Sequence, residues 1–262
     1  MSTAVFFHAH PDDEAIATGG TMARAADEGH RVVLVCATKG EHGADLTGVL
    51  AEDEDLVERR ESELQDAARI LGVARLEYLG YVDSGYFDSP QNRDPKNFYN
   101  ADVDVAAERL AAILREEDAE VLTTYDENGN YGHLDHIQVH RVGMRASELA
   151  ETPRVYMSTL NRDYFIRMMP RAKEMGLKMD AEMQEEVKSM GVEESRITTA
   201  VDVTDYLDRK RAAMMAHTSQ IGEDSFFLSM PPEAAAAVWG IEWYVRVGAE
   251  GLEPWEKWLW PE

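Results

Sequence analysis

The sequence predicts an α/β fold: a Rossmann-like, mostly parallel sheet with helices on both faces and an active site at the carboxyl ends of the strands. Three observations carry that prediction. Short β-branched or aromatic runs alternate with amphipathic stretches over the first half of the chain, which is the pattern of βαβ units. Clusters of polar residues, "HAHPDDE" foremost, follow directly on the apolar runs, where ligands of open α/β sheets bind. The 262 residues with 44% apolar content suffice for one large domain with a real core.

Taken in order, "TAVFFHA" (3–9) is the first strand. In "EAIATGGTMARAADEGH" (14–30) apolar residues recur at helical spacing until Gly29 stops them. "RVVLVCAT" (31–38) is a second strand, "LVERRESELQDAARILGV" (56–73) an amphipathic helix ended near Gly72, and "RLEYLGYV" (75–82) a third strand. "DVDVAAERLAAILREED" (102–118) and "EVLTTY" (120–125) complete another helix–strand unit. Right-handed crossovers then bring "HAHPDDE", "TKGEHG", "VDSGY" and "YDENGNYGHLDH" to one edge of the sheet. Further on, "RVYMSTL" (154–160) and "RITTAVDVT" (196–204) read as strands. "RDYFIRMMPRAKEMG" (162–176), "AEMQEEVKSMG" (181–191), "YLDRKRAAMMAHTSQ" (206–220) and "PPEAAAAVWGIEWYVRVG" (231–248) read as helices, the methionines being packing residues first. There is no internal repeat, low-complexity tract or linker, so residues 1–262 read as one domain in which 155–262 completes the site wall and lid.

A net charge of −24 and a pI near 4.6 exclude nucleic acid as the expected partner, because phosphate repels such a surface; the acidity serves solubility. The lone cysteine, Cys36, lies in an apolar run and reads as a small core hydrophobe. The first strand begins within a few residues of Met1, leaving no room for a signal peptide. No apolar run approaches the ~18 residues of a membrane span. A soluble, cytoplasmic protein is expected, with homo-oligomerisation left open.

The chemistry starts from "HAHPDDE", a strand end carrying two histidines and three carboxylates. An unpaired ion in a low-dielectric interior costs several kcal/mol or more, so water, a partner charge or a metal must compensate. A catalytic zinc takes three nitrogen or oxygen ligands and keeps one position open. His10 and Asp13 lie in one turn stiffened by Pro11, and both can face a single ion. "GHLDHIQVH" (132–140) opens a helix with His133 and His136 on one face, and either can supply the third ligand. Any one of these histidines alone is better read as a hydrogen-bonded surface or core residue. Two His/Asp clusters at strand ends of one sheet shift the reading to metal. His140 also has zinc-compatible spacing from His136, although a supporting or packing role suits it better. His8 alternates with His10 along the strand and reads as buried and hydrogen-bonded. A dinucleotide loop is excluded at "ATGGTMARAADEG": it lacks G-x-G-x-x-G, and Asp12, Asp13 and Glu14 stand where a pyrophosphate would lie.

With "AHPDDE" near the amino terminus and "HLDH" later, the chain resembles the PIG-L/LmbE-like zinc N-deacetylases, which act on N-acetylglucosamine-type amino sugars. These include the mycothiol-pathway deacetylase and the mycothiol conjugate amidase. "TKGEHG", Arg60 and Glu63 in "RRESEL", "VDSG", "TTYDENGNYGH" and "AHTSQI" extend the resemblance over most of the chain, more weakly over 155–200. The resemblance implies a Zn2+ ion, with Fe2+ as an alternative, held by His10, Asp13 and His136. Asp12 would be the general base acting on the metal-activated water. His133 would face the oxyanion as a cation and later protonate the leaving amine, and Asp135 would orient that imidazole and favour its charged form. Tyr131 would donate to the amide carbonyl oxygen. Glu41, Arg60, Asp83, Tyr86 and His217 are the implied substrate contacts. Arg60 reads equally well as part of a solvated helix face, and Tyr86 either stacks on a sugar ring or caps its loop. Leu134 replaces the proline usual in the family's "HPDH" while keeping the ligand spacing. The expected function is removal of an acetyl group from an N-acetylated amino sugar or its conjugate. A mycothiol S-conjugate amidase and a non-catalytic sugar-binding protein are the alternatives.

Overall fold

The computed structural model describes residues 1–172, 174–175, 181–249, 251 and 254–260. Seven strands form one sheet: β1 (Thr3–His8), β2 (Arg31–Cys36), β3 (Arg75–Tyr78), β4 (Ala119–Tyr125), β5 (Arg154–Thr159), β6 (Thr199–Asp202) and β7 (Ile241–Arg246). Their spatial order is β3-β2-β1-β4-β5-β7-β6. The pairs from β3 to β5 are all parallel, while β7 runs antiparallel to both β5 and β6. The expected mostly parallel α/β architecture is therefore the one observed.

The period-two alternation of each strand divides the core. Ala4, Phe6, Val32 and Leu34 enter one apolar cluster, and Val5, Phe7, Val33 and Val35 enter the other on the opposite face. On the first face pack α2 (Gly19–Asp27), α3 (Leu56–Leu71) and α9 (Leu207–Ala216); on the second pack α4 (Val103–Glu116) and α6 (Leu134–Ala150). Helix α3 begins where the Asp55 side chain accepts from the Val57 and Glu58 amides, and ends at Gly72 in the left-handed conformation. Both limits match those read from its periodicity.

Two expectations are corrected. The helix read over 14–30 is broken at Thr18 into α1 (Asp13–Ala17) and α2. The break lets the Gly20 and Thr21 amides at the start of α2 donate to the buried Glu242 carboxylate, at 2.9 and 2.8 Å. Gly20 is required there, since a Cβ would lie 2.5 Å from the Val203 Cβ. The helix read over 231–248 is α10 (Pro232–Trp239) followed by β7. "IEWYVR" is aromatic and β-branched and alternates between faces, Tyr244 entering one cluster and Trp243 and Val245 another. Of the other expected helices, the first is observed as α7 (Arg162–Ala172); Glu174 and Met175 beyond it form a turn, while Lys173 and Gly176 lie outside the described residues. The second is α8 (Ala181–Val187). The helix turn α5 (Gly129–Gly132) leads into α6.

Candidate active site

The site lies beyond the carboxyl ends of β1, β2 and β4, as the alternation predicts. After β1 the chain turns through residues 9–12 into α1. The turn is closed by the His10 amide, which donates to the Asp13 carboxylate at 2.9 Å. Across the sheet crevice α6 begins at His133 and presents His136 in its first turn. The two segments meet: the His10 and His136 ring centroids are 5.5 Å apart, and those of His133 and His136 5.1 Å.

The Asp13 carboxylate lies between the two imidazoles. One oxygen is 3.4 Å from His10 Nδ1 and the other 3.3 Å from His136 Nε2. His136 is 2% exposed, and neither of its ring nitrogens has a hydrogen-bond partner among the described residues. Buried polar atoms are seldom left so, and a nitrogen lone pair facing a carboxylate is the donor set a divalent cation requires. The other nitrogen of His10, Nε2, donates to Asp135 at 3.2 Å and lies 3.6 Å from Asp83. With Nε2 held by a carboxylate, Nδ1 is the nitrogen that a metal would take in place of a proton, the usual carboxylate support of a metal-binding histidine. Burial opposes the His10 charge, but Asp13, Asp135 and Asp83 together raise its pKa well above 6.5. Burial likewise opposes the Asp13 charge, and His136 and His10 hold its carboxyl well below the usual range. His10, Asp13 and His136 thus fit a metal. His10, His133 and His136 offer ring nitrogens within 4.8 Å of one another, a set that does not include Asp13, and His10 with Asp83 and Asp135 forms a second such group.

The expected pairing of Asp135 with His133 is not the one observed. Asp135 is fully buried, and its carboxylate is taken up by His10 Nε2, the Ser84 amide at 2.9 Å and the Ser84 hydroxyl. The His133 ring instead caps α6: its Nδ1 accepts from the Asp135 backbone amide at 3.2 Å. The reason is positional, because the cap residue bends its side chain back over its own helix start while Asp135 points across to the loop after β3. Burial, reinforced by repulsion from His10 and His136, lowers the His133 pKa to about 4. A neutral ring that accepts at Nδ1 carries its proton on Nε2 and can donate from there.

Asp12 has φ 109°, a conformation that costs a non-glycine residue energy. Its carboxyl pKa is pushed up to about 6 by burial, with Arg60 pulling it down and Asp13 pushing it up. Tyr131 is half exposed, its ring 4.9 Å from that of His136. His8 is buried and hydrogen-bonded as expected, between the Tyr125 hydroxyl at 2.7 Å and Thr18 at 2.9 Å. His140 sits outside the cluster with its Nδ1 on the Tyr125 carbonyl at 2.9 Å.

The implied substrate contacts divide. Asp83 is buried beside His10 and accepts from the Gly85 amide at 2.7 Å, while Glu41 accepts from the Asp83 amide at 3.0 Å. Tyr86 is 79% exposed at the mouth. Arg60 is not part of a solvated face: it is buried and donates to the Pro11 and Gly40 carbonyls at 2.7 and 3.1 Å and to Asp12 at 3.3 Å. His217 is fully buried, its Nε2 on Glu14 at 2.7 Å, so it presents no surface to a substrate. Sequence reasoning overlooked Ser84, Glu14 and Phe87. Ser84 stands in the quoted "VDSGY" and Glu14 in "HAHPDDE", but only the fold shows what each binds. Phe87 is half exposed with its ring 5.9 Å from His133, and an aromatic beside Tyr86 in a polar loop was the available signal.

Comparison with known proteins agrees with this geometry. Residues 5–147 match the PIG-L family, described as GlcNAc-PI de-N-acetylase. The chain is 39% identical over 272 residues to 1D-myo-inositol 2-acetamido-2-deoxy-alpha-D-glucopyranoside deacetylase 1 of Catenulispora acidiphila, covering 94% of this chain and 84% of that protein. It is 39% identical over 258 residues to the deacetylase of that name from Acidothermus cellulolyticus, covering 94% and 88%. Among solved structures, the fold is shared with the N,N'-diacetylchitobiose deacetylase of Pyrococcus horikoshii at a TM-score of 0.58 and 21% identity, covering 94% and 84%. A metal-compatible His/Asp cluster at the strand ends, built on this sheet and matched in sequence along nearly the whole chain, has one assignment: the protein belongs to the PIG-L family of de-N-acetylases.

Proposed function

We propose that the protein is a divalent-metal-dependent amidohydrolase that removes the acetyl group from an N-acetylglucosaminyl conjugate, the inositol-linked glucosaminide of its curated relatives being the leading substrate. Zinc is the leading metal, with His10, Asp13 and His136 holding it, and iron(II) fits the same donors. The observation that carries the reading is the buried His136 ring facing Asp13 with no hydrogen-bond partner. When bound, the cation lowers the pKa of a coordinated water toward neutrality and polarises the amide carbonyl. Asp12 then takes the proton of the attacking water, its pKa of about 6 suiting a base at neutral pH. His133, neutral, donates from Nε2 to the developing oxyanion, and Tyr131 adds a second donor from the rim. Asp12 returns its proton to the departing amine, so acetate and a free amino sugar leave with no net change in the enzyme. Asp83 and Glu41 suit sugar hydroxyls as acceptors, and Tyr86 with Phe87 offers aromatic faces at the mouth.

Acetate release from 1D-myo-inositol 2-acetamido-2-deoxy-α-D-glucopyranoside tests the reading, measured before chelation, after it, and after zinc or iron(II) is restored. Turnover that disappears with the metal and returns with it is expected. Activity surviving complete metal removal refutes the metal role, and faster cleavage of a mycothiol S-conjugate replaces the deacetylase reading by the amidase one.

A further inference from the structure

We propose that Glu14 and His217 are positioning residues: together they hold the backbone of Asp12 in its strained conformation and so aim its carboxylate into the site. The inference rests on the reading of Asp12 as the base.

The chain of contacts is continuous. The Asp12 amide donates to one oxygen of Glu14 at 3.0 Å. The other Glu14 oxygen accepts from His217 Nε2 at 2.7 Å, and both side chains are fully buried. His217 ends α9, and the turn after it is gripped by Glu63 of α3. That carboxylate accepts from the Thr218 hydroxyl at 2.7 Å, the Ser219 amide at 2.8 Å and the Ser219 hydroxyl at 2.7 Å. From the same helix Arg60 reaches back to the Pro11 carbonyl and the Asp12 carboxylate. Asp12 is therefore clamped from two sides, through its amide by Glu14 and through its carboxylate by Arg60, and α3 anchors both.

This arrangement has a physical rationale. A non-glycine residue at φ 109° persists only where its surroundings over-determine it. Glu14 alone does not, because a buried carboxylate with no partner is itself unstable. His217 supplies that partner from the far end of the sequence. The carboxy-terminal segment thereby acts on the chemistry without touching the substrate.

The test uses His217→Ala, His217→Gln and Asp12→Ala, with His217→Ala/Asp12→Ala as the double variant. Each is assayed for kcat, KM, bound metal and exchange of the Asp12 amide by NMR. For His217→Ala we expect kcat to fall about 10- to 100-fold, the scale of a small misplacement of a catalytic group, with KM within about two-fold and metal content unchanged. The Asp12 amide should exchange at least about tenfold faster, while amides of β1 stay protected. His217→Gln, whose amide can donate to Glu14, should recover most of the rate. In the Asp12→Ala background the loss should vanish, since residues acting as a unit are non-additive. Unchanged kcat and exchange, a loss expressed in KM, or an equal loss in the Asp12→Ala background each overturns the proposal. If His217→Ala does not fold, His217→Asn, too short to reach Glu14, carries the same readouts. Absence of turnover in the wild-type enzyme refutes the functional reading alone, and amide exchange still decides the clamp.

Discussion

Replacing Asp135 with asparagine separates two accounts of the site. In the structure the Asp135 carboxylate accepts from His10 Nε2 at 3.2 Å, from the Ser84 amide at 2.9 Å and from the Ser84 hydroxyl. An asparagine oxygen can still receive both His10 Nε2 and the Ser84 amide, which share one carboxylate oxygen, while its amide nitrogen faces the Ser84 hydroxyl, which can turn to accept; what is lost in every orientation is the negative charge facing His10. A hydrogen bond to a charged group is worth about 1.5–3 kcal/mol. At about 1.4 kcal/mol per tenfold, that converts to metal affinity weakened by roughly 10- to 100-fold, in line with the range for supporting residues of metal-binding histidines. The assay is competition of the metal-free protein for zinc against a chromophoric chelator, with turnover measured separately at saturating zinc. We expect Asp135→Asn to lower affinity while keeping most of the turnover once the site is filled. Unchanged affinity with turnover lost at saturating zinc would return Asp135 to His133 and refute the assignment made here.

Asp12→Ala should retain bound metal but lose about 10²- to 10⁴-fold in kcat, the usual contribution of a positioned general base; paired metal analysis and kinetics check it. Gly143→Val should destabilise the protein by about 1–3 kcal/mol, because its Cβ would lie 2.5 Å from the Thr124 hydroxyl and press α6 away from β4. Thermal unfolding reads that loss, and zinc affinity should fall with it, since α6 carries His136. Acid sensitivity is expected at Glu117, whose pKa is brought from 4.5 to about 2 by Arg31, with burial opposing and Arg75 assisting. A lowered folded-state pKa stabilises above the unfolded value and is lost as pH falls. After solvent screening, with Arg31 43% exposed, the contribution is about 1 kcal/mol. The stability gap between wild type and Glu117→Gln in urea should therefore narrow progressively from about pH 5 down to about pH 2.

How much was legible in the sequence follows the range of the forces involved. Periodicity is local, so strands β1 to β5 and helices α3, α4 and α6 could be read directly, as could the convergence of "HAHPDDE" and "HLDH". The α10–β7 boundary was misread because an aromatic, β-branched stretch after an alanine-rich helix keeps an apolar pattern. Its strand state depends on β5 and β6 being there to pair with it.

The sequence by itself determined the fold class and which segments meet at the sheet edge, because alternation and turn chemistry are written residue by residue. Tertiary structure alone decided which buried group satisfies which: Asp135 with His10, His133 capping its own helix, Arg60 and Glu14 on Asp12, and His217 behind Glu14. The reason is that a buried polar group takes whatever partner the packing brings within about 3 Å, and that partner lies anywhere along the chain. The Glu14–His217 contact spans 203 positions, beyond the reach of any local pattern.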